Sequence, residues 1–180
     1  MNPNHPDSLI SALQELDRWL EKQGIILELE IIGSFALYLR GMTQIRTKDI
    51  DTLRDLDDEV IAEINRIAVD HGLIPLWLND NSVGLPKPEG FETRLAEKRI
   101  GSHLLLRIAS RIDLILLKAA AYIDRGNEDP KDLVDLKHLK PTGEEILGAI
   151  EFIRKTRRPE KPEFYPNYEE MIEDIRRVGK

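Results

Sequence analysis

The chain has 180 residues, no cysteine and a formal net charge of -7. That length suits one compact domain, with or without a small appendage. Such a domain buries roughly 70% of the surface its unfolded chain exposes, so it needs no staple to fold. The lack of cysteine excludes a disulfide framework, a thiolate metal site, a cysteine nucleophile and a redox dithiol. Charged residues make up 33% of the chain, above the usual share of about 25%. The acidic balance argues against a broad, non-specific coater of duplex nucleic acid, whose affinity comes from neutralising phosphates. It leaves room for a local basic patch. Met1 to Ser8 is polar and carries Pro3 and Pro6, without the basic start and apolar core of a signal peptide. The longest apolar stretch, Leu114 to Ala121, is broken by Lys118 and falls far short of the ~20 apolar residues that span a bilayer. The cytoplasm is the expected location.

In chain order, Asp7 or Ser8 caps a first helix in which Leu9, Leu13, Leu16 and Leu20 recur at helical spacing, up to a stop at Gly24. Ile25 to Ile32 is dense in Ile and Leu and predicts a strand ending at Gly33-Ser34. A short helix over Phe35 to Leu39 follows, and then a second strand over Lys48 to Leu53. Asp57 and Asp58 open a helix with Val60, Ile61, Ile64, Ile67 and Ala68 on its apolar face and Gly72 as its stop. Leu73 to Gly90 holds Pro75, Pro86, Pro88, Gly84 and Gly90 and reads as loop with one short strand. Phe91 to Ile108 predicts two short strands joined near Gly101. Four helices complete the chain: Asp113 to Arg125 behind Ser110, Lys131 to Leu139 with Pro130 at its start, Thr142 to Lys155 with a capping box, and Asn167 to Val178 after a proline-marked linker. The order predicts an α+β (α/β-like) front half and a helical back half.

The chemistry concentrates between Ile31 and Leu53. Alternation along a strand puts Asp49 and Asp51 on one side, with Ile50 turned to the core. Two carboxylates on one face repel unless a cation sits between them. Magnesium is commonly held by one or two carboxylates together with substrate phosphates. Gly33 has no Cβ and lets a phosphate approach the backbone. Ser34 adds a hydroxyl, and a helix start offers backbone N–H groups to an anion.

A Gly-Ser turn, a short helix and an Asp-x-Asp strand together resemble the nucleotidyltransferase superfamily of the DNA polymerase β-like fold. Here the signature reads Gly33-Ser34 and, with Asp49 15 residues beyond Ser34, Asp49-Ile50-Asp51. Arg46-Thr47-Lys48-Asp49-Ile50-Asp51 is similar to the R-x-T-x-D-I-D form of AbiEii-like toxin nucleotidyltransferases and their relatives. Trp77-Leu78-Asn79-Asp80 resembles a W-L-N-D element of those relatives, as does the helix of Leu114 to Ala121 followed by Arg125 and Lys131-Asp132-Leu133-Val134-Asp135-Leu136.

The resemblance implies a minimal nucleotidyltransferase fold, a small mixed sheet flanked by helices with a C-terminal helical part. It implies a core over 1–108, a helical part packed on it over 109–156, and a linker with a C-terminal helix over 157–180. It also implies Mg2+ or Mn2+ held by Asp49 and Asp51, an NTP substrate cradled by Gly33 and Ser34, and Lys118 against triphosphate charge. Asp132 would orient Lys118 or help deprotonate the acceptor. The implied acceptor is an RNA end, such as tRNA, or a protein side chain. The implied role is a toxin paired with an antitoxin protein. The alternative is a non-catalytic nucleotide-binding or interaction protein on the same fold.

Many members of the superfamily carry a third metal-binding carboxylate on a later strand. The strand Leu104 to Ile108 has no acid, and Asp80, Glu92 and Glu97 are the candidates. Several residues have plainer readings. Lys118 could be a lysine snorkelling from the core edge, and Asp132 a favourable charge in a helix's first turn. Trp77 reads as a packing residue, with base stacking as the alternative. Asp135 reads as a surface or bridging acid. The basic run Arg154, Lys155, Arg157 and Arg158 reads as a solvated helix end.

Overall fold

A computed structural model describes residues 6–42, 47–125, 131–157 and 167–179. Arg46, the turn before Lys131, Arg158 and the proline-marked linker lie outside the described residues. The chain divides into two compact units. One comprises Met1–Leu85 and Phe91–Ser110, the other Pro86–Gly90 and Arg111–Lys180.

The first unit holds α1 (Pro6–Gln23), β1 (Leu27–Ile32), α2 (Gly33–Leu39), β2 (Ile50–Thr52), α3 (Asp58–His71), β3 (Leu78–Asn79), β4 (Ala96–Arg99) and β5 (Leu104–Ile108), with a 3-10 turn over Phe91–Arg94. The strands form one mixed sheet in the order β3-β2-β1-β5-β4. β1 runs antiparallel to β2 and parallel to β5, β2 is parallel to β3, and β4 is antiparallel to β5. This is a small α/β nucleotidyltransferase-like architecture, as the sequence led us to expect.

Register and alternation give the sheet two chemically different faces. One carries Leu29, Ile31, Ile50, Thr52, Leu78, Leu104, Leu106 and Ile108, all buried. The other carries Glu28, Glu30, Asp51, Asn79, Arg107 and Glu97. The second face also carries the buried Ile32 and Leu105, so its polar groups stand among apolar ones.

Helix α1 packs on α3 and β5. Its leucines at 9, 13, 16 and 20 are fully buried. Asp17, on the same helix, accepts hydrogen bonds from the backbone N–H groups of His103 (2.9 Å) and Leu104 (2.8 Å) and so pins the β4–β5 turn. On the solvent side, Glu15 pairs with Arg66 (2.6 Å) and His71 (2.8 Å) of α3. These contacts hold its carboxyl below the usual range. The helix α2 is closed by Arg40, whose guanidinium donates to the carbonyls of Ile108 and Ala109 at the end of β5.

The second unit comprises α4 (Arg111–Arg125), α5 (Lys131–Leu139), α6 (Gly143–Thr156) and α7 (Tyr168–Val178). Helix α4 packs against the other three. Thr142 and Glu145 form the expected capping box at the start of α6.

Local boundaries depart from the sequence reading for identifiable reasons. The first strand ends before Gly33 as expected, but α2 begins at Gly33 and not at Phe35, because Gly33 at φ +68 swings the chain directly into the helix. The second strand shortens to three residues because Thr47 organises its own turn ahead of it. Among the described residues, no helix is long and apolar enough to cross a membrane.

Candidate active site

The antiparallel pairing of β1 and β2 sets Ile32 opposite Asp51. The residue after Ile32 is Gly33, so the start of α2 comes against the Asp51 side chain. A Cβ at position 33 would lie 3.3 Å from Asp51 Cγ and collide with Oδ2. Glycine is therefore required twice at this position, by the positive φ and by the approach of the carboxylate. Ser34 is buried in the first turn of α2, and Ile32 contributes no side-chain cap there.

Asp49 lies one residue before β2, so strand alternation does not by itself orient it. Thr47 does. Its hydroxyl is buried 2.8 Å from the Asp49 carbonyl oxygen and 3.2 Å from Asp49 Oδ1, which fixes the turn and the carboxylate together. Asp49 and Asp51 are both partly exposed, an arrangement open to a ligand from solvent. Sequence reasoning assigned no role to Thr47, although its spacing of two from Asp49 is that of a local side-chain turn.

Across β2 on the other side, Asn79 of β3 is the register partner of Asp51. It is buried, and its Nδ2 lies 3.4 Å from both Asp51 Oδ1 and the Ile50 carbonyl. Its Oδ1 accepts from the Asn81 N–H at 3.2 Å, which orients the amide.

The oxygen donors present suit a hard divalent ion. Two partly exposed carboxylates and a glycine that makes room for one of them match the one-or-two-carboxylate sites that magnesium shares with phosphates. The third-acid candidates do not join them. Glu97 is on β4, separated from β2 by β1 and β5, about 14 Å at the usual strand spacing. Asp80 accepts from the Leu56 N–H, and Glu92 lies in the 3-10 turn. Among the described residues, no group of three or more His, Cys, Asp or Glu could hold a metal ion.

The other two expected site residues belong to the second unit. Lys118 does not snorkel. Its Nζ is buried between Asp132 Oδ1 (2.8 Å) and Asp135 Oδ2 (2.7 Å), and Asp132 Oδ2 also pairs with Arg125 (2.7 Å). The four residues carry two positive and two negative charges, so the cluster is balanced within itself. Burial alone would push the Lys118 ammonium down, but the carboxylates of Asp132 and Asp135 outweigh it and hold the ammonium above its ordinary value. Asp132 does lie in the first turn of α5. Asp135 is the bridging acid of the two alternatives. It stands three residues from Asp132 on one helix face, a spacing that could have identified it.

Two further expectations change. Trp77 is fully buried, and its indole N–H donates to the Ile64 carbonyl at 2.9 Å, so base stacking is ruled out. Arg157 is not a solvated helix end. It is buried and grips the Asp124 carboxylate with Nε at 3.0 Å and with Nη2. Lys155 fits the solvated reading and pairs with Glu151.

A mixed sheet that brings a Gly-Ser helix start against an Asp-x-Asp strand defines a protein of the nucleotidyltransferase class. The chain belongs to the family described as "Nucleotidyltransferase of unknown function (DUF6036)", whose model matches residues 7–176. Neither a curated protein nor a solved structure matches it.

Two outcomes follow. Gly33→Ala is expected to cost about 1–2 kcal/mol for an L-residue in a left-handed conformation, and more through the displaced Asp51, read by urea unfolding. Lys118→Met takes the ammonium away from two buried carboxylates, leaving Arg125 on Asp132, and is expected to cost about 3–5 kcal/mol. Because the Lys118 ammonium is held above its ordinary value of 10.5, its contribution is intact below that pH and fades as pH rises through the raised value. The gap between wild type and Lys118→Met in urea should therefore stay constant to about pH 10 and narrow above it.

Proposed function

We propose that the chain is a metal-dependent nucleotidyltransferase that moves a nucleotide from an NTP to an acceptor. The observation that carries the reading is the β1–β2 register, which sets the Gly33-Ser34 helix start against Asp51. Asp49 and Asp51 would hold Mg2+ or Mn2+, and Gly33 and Ser34 would receive the β- and γ-phosphates. A bound divalent ion supplies charge neutralisation at the phosphates. The acceptor's nucleophile forms a bond to the α-phosphorus, the α–β bridge breaks, and pyrophosphate leaves. The chain's own contribution is positioning and fixed electrostatics. Thr47 holds the Asp49 turn, and the missing side chain of Gly33 keeps Asp51 in place.

Within the second unit, the reading gives Asp132 the role of orienting Lys118. Both Asp132 oxygens are engaged by cations, which favours orientation over accepting a proton. The acceptor is proposed to be an RNA end, such as tRNA, or a protein side chain. The proposed biological role is a toxin restrained by an antitoxin protein, in the cytoplasm.

The test is label transfer from α-labelled NTPs to total RNA and lysate protein. Wild type is expected to label one acceptor class. Asp49→Asn and Asp51→Asn should each lose that labelling by orders of magnitude while their circular dichroism stays unchanged. Equal labelling by the variants would refute the site, and NTP binding without any transfer would favour the non-catalytic alternative.

A further inference from the structure

Asn79 is the one polar side chain set directly opposite Asp51 in the β2–β3 register. It is held in place by two separate constraints. Its Oδ1 is committed to the Asn81 N–H, so its Nδ2 must face β2, where it meets Asp51 Oδ1 and the Ile50 carbonyl. The amide thus donates to one oxygen of Asp51. The other oxygen lies in the space that Gly33 leaves open. Asn79 is also nine-tenths or more buried, so its orientation does not fluctuate with solvent.

Granting the transferase reading, on which this rests, we infer that Asn79 is the positioning residue for Asp51 and that it fixes how the site takes its cation. An amide here orients a carboxylate without adding charge. The site then offers two negative charges, from Asp49 and Asp51, and needs phosphate oxygens to complete the shell of a hard divalent ion. Its ligand is therefore the metal–triphosphate complex, bound as a unit. The free ion alone is held weakly.

An aspartate at 79 would be nearly isosteric. One oxygen would still accept from the Asn81 N–H. The other would face Asp51 Oδ1 and the Ile50 carbonyl, three acceptors with no donor among them. Such a group is relieved only by a proton or a cation.

The experiment is Mn2+ binding followed by electron paramagnetic resonance, with and without an NTP whose α–β bridge cannot be broken. The proteins are wild type, Asn79→Asp and Asn79→Ala, each checked for folding by circular dichroism. Wild type should bind Mn2+ firmly only with the nucleotide. Asn79→Asp should bind Mn2+ without nucleotide about 10- to 100-fold more tightly than wild type, and Asn79→Ala should lose about 10- to 100-fold of the nucleotide-dependent affinity. The isosteric Asn79→Asp keeps the test valid if the alanine variant fails to fold. Firm Mn2+ binding by wild type without nucleotide, or an Asn79→Asp protein indistinguishable from wild type, would overturn the role of Asn79 and leave the transferase reading standing. Failure of wild type to bind Mn2+ with the nucleotide would overturn that reading itself.

Discussion

The carboxylate of Asp51 occupies space that any side chain at position 33 would need. That single exclusion ties a strand end, a helix start and an acidic side chain together. It follows from the antiparallel register that sets Ile32 against Asp51. It also requires the chain to turn at Gly33 with a positive φ, which carries β1 straight into α2. Arg40 then anchors the far end of α2 to the end of β5, and the Ala109 N–H donates to the Ile31 carbonyl beside it. The glycine is thus held from both directions, and the close approach of Asp51 is a product of the same geometry that closes the fold.

Charge is distributed unevenly over this acidic protein. In the first unit, the apolar face of the sheet is purely structural, and the polar face carries Asp51 and Asn79. In the second unit, buried ionisable groups are paired: Lys118 meets Asp132 and Asp135, the exposed Arg125 meets Asp132, and the buried Arg157 meets the exposed Asp124. Truncating one partner of such a group leaves an uncompensated charge, so these pairs are costly to break whatever their net worth to folding. A net charge of -7 is compatible with binding one anion at a chosen place, since the cation proposed at Asp49 and Asp51 would reverse the local sign.

Most elements were legible because their signals are local. Helical spacing located α1, although its start at Pro6 puts Asp7 and Ser8 inside the helix and not at its cap; spacing and caps located α3 and α6, and the Thr142 capping box is present as read. The Gly33-Ser34 and Asp49-Ile50-Asp51 residues stood out because few other constraints place those types together. What the sequence hid depends on pairing across distance. β3 is two residues long and has no periodicity, so the placing of Asn79 beside Asp51 emerges only from its pairing with β2. The parallel pairing of β1 with β5 joins strands more than 70 positions apart. Arg157 was concealed by its basic neighbours, because a run of like charges looks solvated until one member is buried against an acid.

The most direct measurement is anomalous diffraction from crystals grown with Mn2+ and an NTP resistant to cleavage at its α–β bridge. The account predicts a manganese peak ligated by the carboxylates of Asp49 and Asp51, with triphosphate oxygens against the backbone of Gly33 and Ser34. Bound nucleotide with no manganese at those two aspartates, or with its phosphates away from Gly33, would contradict it.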